Sequence, residues 1–555
     1  MKKKTTRLLK TNKIEFYLFV LIFASIQTAS QAQTKSIILG RPTDNSITAS
    51  ILFDQNMEFN IQYGTQTGVY SNTTIAFTNT ANTPDEIDLI NLLPDTKYFY
   101  KMQYRLVGTT TFSITPEYTF HTQRAPGSSF AFTVESDEHL YDKKGIRELY
   151  DICLNNQAQD NPDFMLSLGD IFGDDHTPFV TTSHDMDSLH NAYRPVLGNI
   201  CHSVPFYISL GNHEGENDYY LAQTPPNNIA VWGTQWRKMY YPNPYPNNFY
   251  SGNNDIEPFG IGNPENYYAW TWGNALFVVL DVYRNENDTT AKPQGWNWSL
   301  GLPQYTWLKN TLEGSTAQFK FVFAHHIRGQ GRGGITNAQL YEWGGRQTIG
   351  GNNTFSVHRP GWAKPIHQLF IDNGVNIFFQ GHDHVFAHET LDGITYQAIP
   401  MPSDTTYEIG KLANADAYVS DTLDGSGHMR VTVNPTCVKV DYVRAYRPQD
   451  ITNGLHQNGE VAFSYTIGTC ATTSVIEKNN VNDVGVFPNP TTDIINIKLY
   501  DNVKRFQISL VNSLGQIILE AQSKSIDLSK ISNGIYFVHI KTDLFEANKK
   551  IIINR

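Results

Sequence analysis

The 555-residue chain reads as a multidomain protein, an α/β core between an N-terminal β-sandwich and a small C-terminal β-sandwich. Three observations predict this. Between about residues 128 and 470, continuous apolar runs of buried-strand character alternate with helix-patterned stretches. Residues 35–125 show only short alternating strands separated by polar turns, and a polar linker sets off residues 485–555. Most of the core runs end on a motif rich in metal-binding side chains: Asp137-Glu138-His139, Gly169-Asp170, Gly211-Asn212-His213-Glu214, His325-His326, and His382 with His384 inside GHDH.

In chain order, residues 1–32 form an export signal. Lys2, Lys3, Lys4, Arg7, Lys10 and Lys13 precede FYLFVLIFASI, an apolar run too short to span a membrane comfortably. Ser30-Gln31-Ala32 supplies a small-residue cleavage pattern, so the mature chain is expected to begin near Gln33. No later segment approaches a membrane span. Cleavage removes six basic residues and one acidic residue, taking the formal charge from −11 to −16. So acidic a chain is a poor candidate for sequence-independent nucleic-acid binding, and no nucleic-acid partner is expected.

The strands SITASILF, FNIQYG, EIDLINL, KYFYKMQYRL and EYTFHT build the sandwich of residues 35–125. Within it, Leu92-Leu93-Pro94-Asp95-Thr96-Lys97-Tyr98 resembles the tyrosine corner of fibronectin type III domains. This module is expected to support one side of a cleft in the core.

The core strands are FAFTV, FMLSL, PFYISL, FKFVFA and VNIFFQ. Ligands gather at the carboxyl ends of such strands, and five ends delivering Asp, Asn and His to one edge is the layout of a metal centre. The D-x-H string alone is weak, and its second match, Asp174-Asp175-His176, reads as loop. GNHE and GHDH are far rarer, and their order after apolar runs carries the weight. KKGIRELYDICLNN places Ile146, Leu149, Tyr150 and Cys153 on one helical face, and PQYTWLKNTL presents Tyr305, Leu308 and Leu312. ITYQAIPM, HMRVTVNP and CVKVDYVRAY return to strand patterning and are expected to complete one sheet.

The remaining histidines have ordinary roles. His176, His184, His190, His202 and His358 are assigned to surface or core, and His367 to a structural place in WAKPIHQLFIDNG. The aromatic insert between residues 232 and 250 is expected mainly to pack, with one or two rings near the site. His326, Arg328 and Arg332 lie in HHIRGQGRGG. Because a guanidinium fork matches phosphate oxygens, His326 and Arg328 are candidate substrate contacts; a solvated loop is the other reading.

Taken together, the blocks resemble those of the calcineurin-like metallophosphoesterases, a group that includes the purple acid phosphatases, over residues 128–470. The resemblance implies an α/β/β/α sandwich of two sheets with a two-metal site on loops at one end. Carried over residue by residue, Asp137, His139 and His384 hold one ion, Asn212, His325 and His382 the other, and Asp170 bridges them. His213 stands just outside as general acid, with Glu214 placed to orient it. Carboxylate, amide and imidazole suit two divalent or mixed-valence transition ions, Fe, Mn or Zn, and no block contains cysteine. The chain departs from purple acid phosphatases at His139, where they carry a small residue, and at Gly173, where they carry tyrosine. Where the family usually has His-x-Pro it has His325-His326-Ile327, and His325 is preferred over His326 as ligand.

Beyond a polar linker at 471–484, the segments VFPNPTTDIINIKL, VNSLGQIILE, IDLSKISNGIYFVHIKT and KKIIINR resemble the C-terminal sorting domain of the type IX secretion system. That implies export by this machinery and a secreted or outer-surface location; a small sandwich with a binding role is the alternative. Four cysteines allow three pairings, and their order does not choose among them. Cys153 looks like a core residue, while Cys437 and Cys470 could close a loop in an oxidising compartment.

The expected activity is hydrolysis of small phosphate monoesters by metal-bound hydroxide, with His213 protonating the leaving oxygen. The alternatives are a phosphodiesterase acting on nucleotide or glycerophospho substrates, and a surface adhesion protein with an inactive metal fold.

Overall fold

The computed structural model describes residues 34–172, 180–217, 227–285, 295–327, 332–451, 456–470, 485–499, 503, 505–512, 516–542 and 546–555. The expected export signal and linker, the Asp174-Asp175-His176 string, Gly173 and Arg328 lie outside them. The chain divides into two compact units, Met1–Cys470 and Ala471–Arg555.

The first unit opens with a β-sandwich. Strands Thr34–Gly40, Ser46–Phe53 and Asp85–Ile90 form one antiparallel sheet; Met57–Gly64 and Lys97–Leu106 lead the other. Every second residue points inward, so Ile47, Ile51, Phe59, Ile61, Leu89, Tyr100 and Met102 make a shared core. Tyr98 turns its hydroxyl back to accept the backbone N–H of Leu93 at 2.8 Å, as expected of the corner motif. Arg194, fully buried in the next domain's helix Ser183–Cys201, ties this sandwich down. Its guanidinium donates to Ser36 Oγ at 2.9 Å, to Ser50 Oγ and Ser50 O at 2.8 Å, and to the carbonyl of Tyr240. That many acceptors offset the cost of taking a cation out of water.

Two sheets make the core. One has six strands in the order Phe206–Ile208, Met165–Ser167, Phe130–Glu135, Ser426–Val433, Cys437–Ala445, Val461–Gly468, with the first three parallel. The other has eight strands, and Ala275–Val279, Phe319–Phe323, Ile377–Gln380 and Ile394–Ala398 run parallel at its centre. Facing side chains between the sheets are largely aromatic: Phe132, Phe164, Trp270, Phe277, Phe321, Phe323 and Phe379. Helices Arg147–Gln159 and Ser183–Cys201 cover one outer face; Gly301–Gly314 and Ile366–Asp372 cover the other. The four layers are the α/β/β/α sandwich.

Local sequence explains these helices. In Arg147–Gln159 the expected Leu149, Tyr150 and Cys153 are buried, while Ile146 sits at the N-cap. Gly301–Gly314 has Pro303 in its first turn, where a missing N–H costs nothing, and buries Tyr305, Leu308 and Leu312. Ser183–Cys201 begins with a capping box in which Thr182 and Asp185 each bond the other's backbone N–H.

One expectation is corrected. The strands after GHDH do not complete a single sheet: Ile394–Ala398 joins the eight-stranded sheet, whereas Ser426–Val433 and Cys437–Ala445 join the six-stranded one. The last two pair antiparallel beside Phe130–Glu135, a partner almost three hundred residues earlier that strand pattern cannot identify. Cys437 and Cys470 form a disulfide, and Cys153 and Cys201 are free and buried.

The second unit is a small β-sandwich. A three-stranded and a four-stranded sheet enclose Ile495, Ile497, Ile508, Leu510, Val538, Ile540 and Ile551. Among the described residues no helix is long and apolar enough to cross a membrane.

Candidate metal centre

Parallel strands bring their carboxyl ends to one rim, and here the rims of both sheets meet. Phe130–Glu135 leads to Asp137, Met165–Ser167 to Asp170 and Phe206–Ile208 to Asn212. From the other sheet, Phe319–Phe323 leads to His325, and Ile377–Gln380 to His382 and His384.

The side chains converge. His384 Nε2 lies 3.0 Å from His139 Nε2 and 3.5 Å from Asp137 Oδ1, making one cluster. His325 Nε2 lies 3.2 Å from Asp170 Oδ2 and 3.3 Å from His382 Nδ1, making a second. Asp170 Oδ2 also stands 3.8 Å from the Nε2 atoms of both His139 and His213, so one carboxylate faces both clusters. The triads Asp137–His139–His384 and Asp137–Asp170–His325 each offer ligand atoms within 4.8 Å of one another. Asn212 is half-buried at the same rim, between Gly211 and His213, whose backbone N–H donates to Asp170 Oδ1 at 2.8 Å.

Backbone shape is specialised at the same residues. Asp137, His139, Asp170, His382 and His384 all take positive φ, between 48° and 69°. Such conformations are costly for residues with a Cβ and persist only where the surroundings enforce them. Glycine makes the approach possible. A Cβ on Gly211 would meet Asp170 Oδ1 at 2.2 Å, and one on Gly381 would meet Asp137 Oδ2 at 2.5 Å.

A surrounding layer aims the rings. His139 Nδ1 is held by Tyr141 Oη at 3.0 Å and Asp142 Oδ2 at 3.2 Å, and His325 Nδ1 by the carbonyl of Leu168 at 2.9 Å. Each contact leaves Nε2 facing the centre, as partners of metal-binding imidazoles do. His326 meets the Tyr283 hydroxyl through Nδ1 at 2.8 Å and stacks on His382, whereas it is His325 Nε2 that approaches Asp170 Oδ2, at 3.2 Å.

Glu214 does not orient His213 in the expected way. Its carboxylate accepts the backbone N–H groups of Asp170, Ile171, Phe172 and Gly211 at 3.0, 2.8, 3.2 and 2.5 Å. It therefore staples two loops of the rim together, and burial, with Asp170 nearby, raises it to about 7.

Electrostatics suits a cation site. Burial works against the charged form of Asp170, but the imidazoles of His325 and His213 outweigh it and hold the carboxyl well below its usual range. Burial also opposes a charge on His139 and His325, yet neighbouring carboxylates raise them to about 9 and about 10. Burial drives His384 down to about 4 and His382 well below its ordinary value, so both are neutral donors. Protons on His139 and His325 thus balance charge that a bound cation would supply instead. Asp137 Oδ1 is buried with no hydrogen-bond partner among the described residues, as a waiting ligand atom would be. The donor set fits transition ions.

Sequence reasoning missed Tyr141, Asp142, Tyr283 and Asp383, which act through other residues. Asp383, inside GHDH, accepts Arg332 Nη1 at 2.9 Å, Gly333 N at 2.9 Å and the Tyr418 hydroxyl at 2.7 Å. Arg332 thereby reaches the rim, also meeting the carbonyl of His382 at 3.3 Å. The aromatic insert packs as expected, and Tyr241 stacks on Phe172 beside the Asp170 loop with centroids 4.7 Å apart. His367 is satisfied by Tyr396 Oη and Asp392 and is structural.

Comparison with known proteins agrees with this geometry. Residues 130–386 match the calcineurin-like phosphoesterase family, and residues 485–554 match the secretion system C-terminal sorting domain. No curated protein matches the chain. Among solved structures, PhoD is similar with a TM-score of 0.55 and 17% identity, over 80% of this chain and 91% of that one. Purple acid phosphatase PPD1 from yellow lupin (Lupinus luteus) seeds is similar with a TM-score of 0.50 and 16% identity, over 78% of this chain and 74% of that one. At these identities the likeness is one of fold.

Proposed function

We propose that this chain, which carries a calcineurin-like phosphoesterase domain followed by a secretion sorting domain, is an exported two-metal phosphatase acting on small phosphate monoesters. The observation that carries the reading is the place of Asp170, whose one carboxylate faces His325 from one ligand cluster and His139 from the other. Asp137, His139 and His384 would hold one ion, Asn212, His325 and His382 the second, with Asp170 between them. A pair of ions so held supplies a nucleophile from water near neutrality and positive charge beside the phosphoryl oxygens.

The protein's own groups do the rest. His213, 7% exposed, sets its ring edge-on to His139 at 4.9 Å and brings Nε2 to the same carboxylate, where it can protonate a departing alkoxide. Arg332, fixed by Asp383, adds a fork for anionic oxygens. Gly211 and Gly381 let the loops close in without a side chain between them. The C-terminal unit supports handling by the type IX secretion machinery.

The test compares turnover of 4-nitrophenyl phosphate and bis(4-nitrophenyl) phosphate by wild type and His213→Ala. The monoester is expected to be the better substrate, and the variant to lose about 10²–10⁴-fold in kcat with its metals retained. Unchanged turnover in the variant rejects His213 as the acid; a better diester rejects the monoesterase reading.

A further inference from the structure

A pair of adjoining grooves lies away from the metal rim. The larger encloses about 1040 Å³ between helix Gly301–Gly314, the turn from Tyr268–Trp272 into Ala275–Val279, and the residues that lead into Phe319–Phe323. Asn274 and Gln318 line it just before those last two strands, whereas His325 follows the second. About 16 Å of strand therefore separates this groove from the ligand loops. The smaller groove, about 570 Å³, runs along the seam with the N-terminal sandwich and shares Thr271 with the larger. Gln123 Nε2 closes that seam by donating to the Thr271 carbonyl at 2.7 Å.

Their linings carry almost no charge. Among the described residues no ionisable side chain lines the larger groove and Asp44 alone lines the smaller, although 17% of the chain is charged and charge gathers at surfaces. On the helix, Pro303, Thr306, Trp307, Asn310, Thr311 and Gly314 share the face that lines the groove, while Tyr305, Leu308 and Leu312 are buried. The flanking charges, Lys309 and Glu313, pair with each other at 2.6 Å. Trp307 is half-buried: Tyr267 backs its ring, with centroids 4.9 Å apart, and its Nε1 donates to Ser251 Oγ at 3.3 Å. The indole is thereby fixed as one wall of the groove.

This chemistry selects a class of ligand. Amides and hydroxyls both donate and accept, as sugar hydroxyls do, and an indole face packs against the C–H face of a pyranose. A phosphorylated or acidic ligand calls for Arg or Lys, and neither lines the groove among the described residues. A protein partner calls for a cluster of large anchors, and Trp307 is the lone aromatic ring lining the larger groove. We propose that the larger groove binds a neutral oligosaccharide. Trp307 stacks on a sugar ring, Thr306, Asn310, Thr311 and Gln318 meet its hydroxyls, and Thr271 leads the saccharide towards Phe249 in the smaller groove. Such a site anchors the exported chain to a glycan while leaving the metal rim open, and it does not depend on the phosphatase reading.

The experiment applies the full chain to an array of neutral and acidic glycans. Calorimetry with the best neutral oligosaccharide then compares wild type, Trp307→Ala, Trp307→Phe and Asn310→Glu. Neutral glycans are expected to be retained and acidic ones not. Trp307→Ala should weaken binding by about 10-fold or more, and Trp307→Phe should recover part of it. Asn310→Glu changes an exposed position that the fold tolerates, and should weaken binding by a similar factor. Turnover of 4-nitrophenyl phosphate should be the same in all four proteins. No neutral glycan bound at concentrations up to about 10 mM, or tighter binding of an acidic one, overturns the proposal. So does neutral binding that Trp307→Ala and Asn310→Glu both leave untouched. A wild-type dimer that Trp307→Ala dissolves in sedimentation assigns the face to a second copy of the chain and overturns it too. Absence of turnover in the wild type bears on the metal reading alone.

Discussion

The Nε2 atoms of His139 and His384, 245 positions apart in the chain, stand 3.0 Å from each other and 3.8 and 3.5 Å from the same oxygen of Asp137. Two imidazole nitrogens and a carboxylate oxygen at that spacing are donors that could hold one ion. His139→Ala should therefore lower bound metal from about two ions per chain to about one, measured by elemental analysis. Chelation of the wild type should lower Tm by several degrees, since a ligand that binds only the folded state stabilises it.

Glu214 offers a structural test separate from chemistry. Replacing it by Ala strands four buried backbone N–H groups, and each unpaired group costs about 1–3 kcal/mol. Glu214→Ala should lose about 4 kcal/mol or more of stability in urea unfolding and lose metal as well. Glu214→Gln keeps acceptor oxygen and should recover part of both.

His190 sets an acid limit on stability. It is buried among Phe172, Tyr240 and Tyr241, and burial, with Arg237 adding to it, takes its pKa to about 3. An unfolded chain protonates histidine near 6.5. Above that pH both states are neutral and the contribution is complete; below it the unfolded state binds a proton the fold refuses, so stability falls down to about pH 3. The loss reaches about 2 kcal/mol at pH 5. His190→Leu should flatten this limb in unfolding curves at pH 7 and pH 5, and an unchanged slope would refute the assignment.

Arg194 joins the N-terminal sandwich to the core through acceptors on Ser36, Ser50 and Tyr240. Arg194→Ala leaves those oxygens buried and unanswered, so about 3 kcal/mol of stability should disappear in denaturant titration. Arg194→Met fills the volume without the donors and should fall between the two.

The candidate ligands were legible because each follows a strand buried on both faces, and such strands announce themselves as apolar runs. Tyrosine 98 was legible for a similar reason, since its corner is local. What escaped was nonlocal. No pattern in HMRVTVNP says that it pairs beside Phe130–Glu135. The helix Ser183–Cys201 carries Pro195 and a polar first turn, and its apolar stripe includes Arg194 and His190, residues that normally mark a solvent face. Glu214 was misread because adjacency to His213 in sequence suggested a side-chain partner, whereas its bonds run to backbone across the loop. Asp142 lies three positions from His139, but only the turn between them reveals that the carboxylate meets Nδ1.

The disulfide between Cys437 and Cys470 has a bearing on maturation. It clamps the edge strand Val461–Gly468 to Cys437–Ala445 at the final residue of the first unit. A protease cutting beyond Cys470 would thus meet a hem already stitched, and shedding the sorting label would leave the hydrolase sheet with no loose thread to unravel.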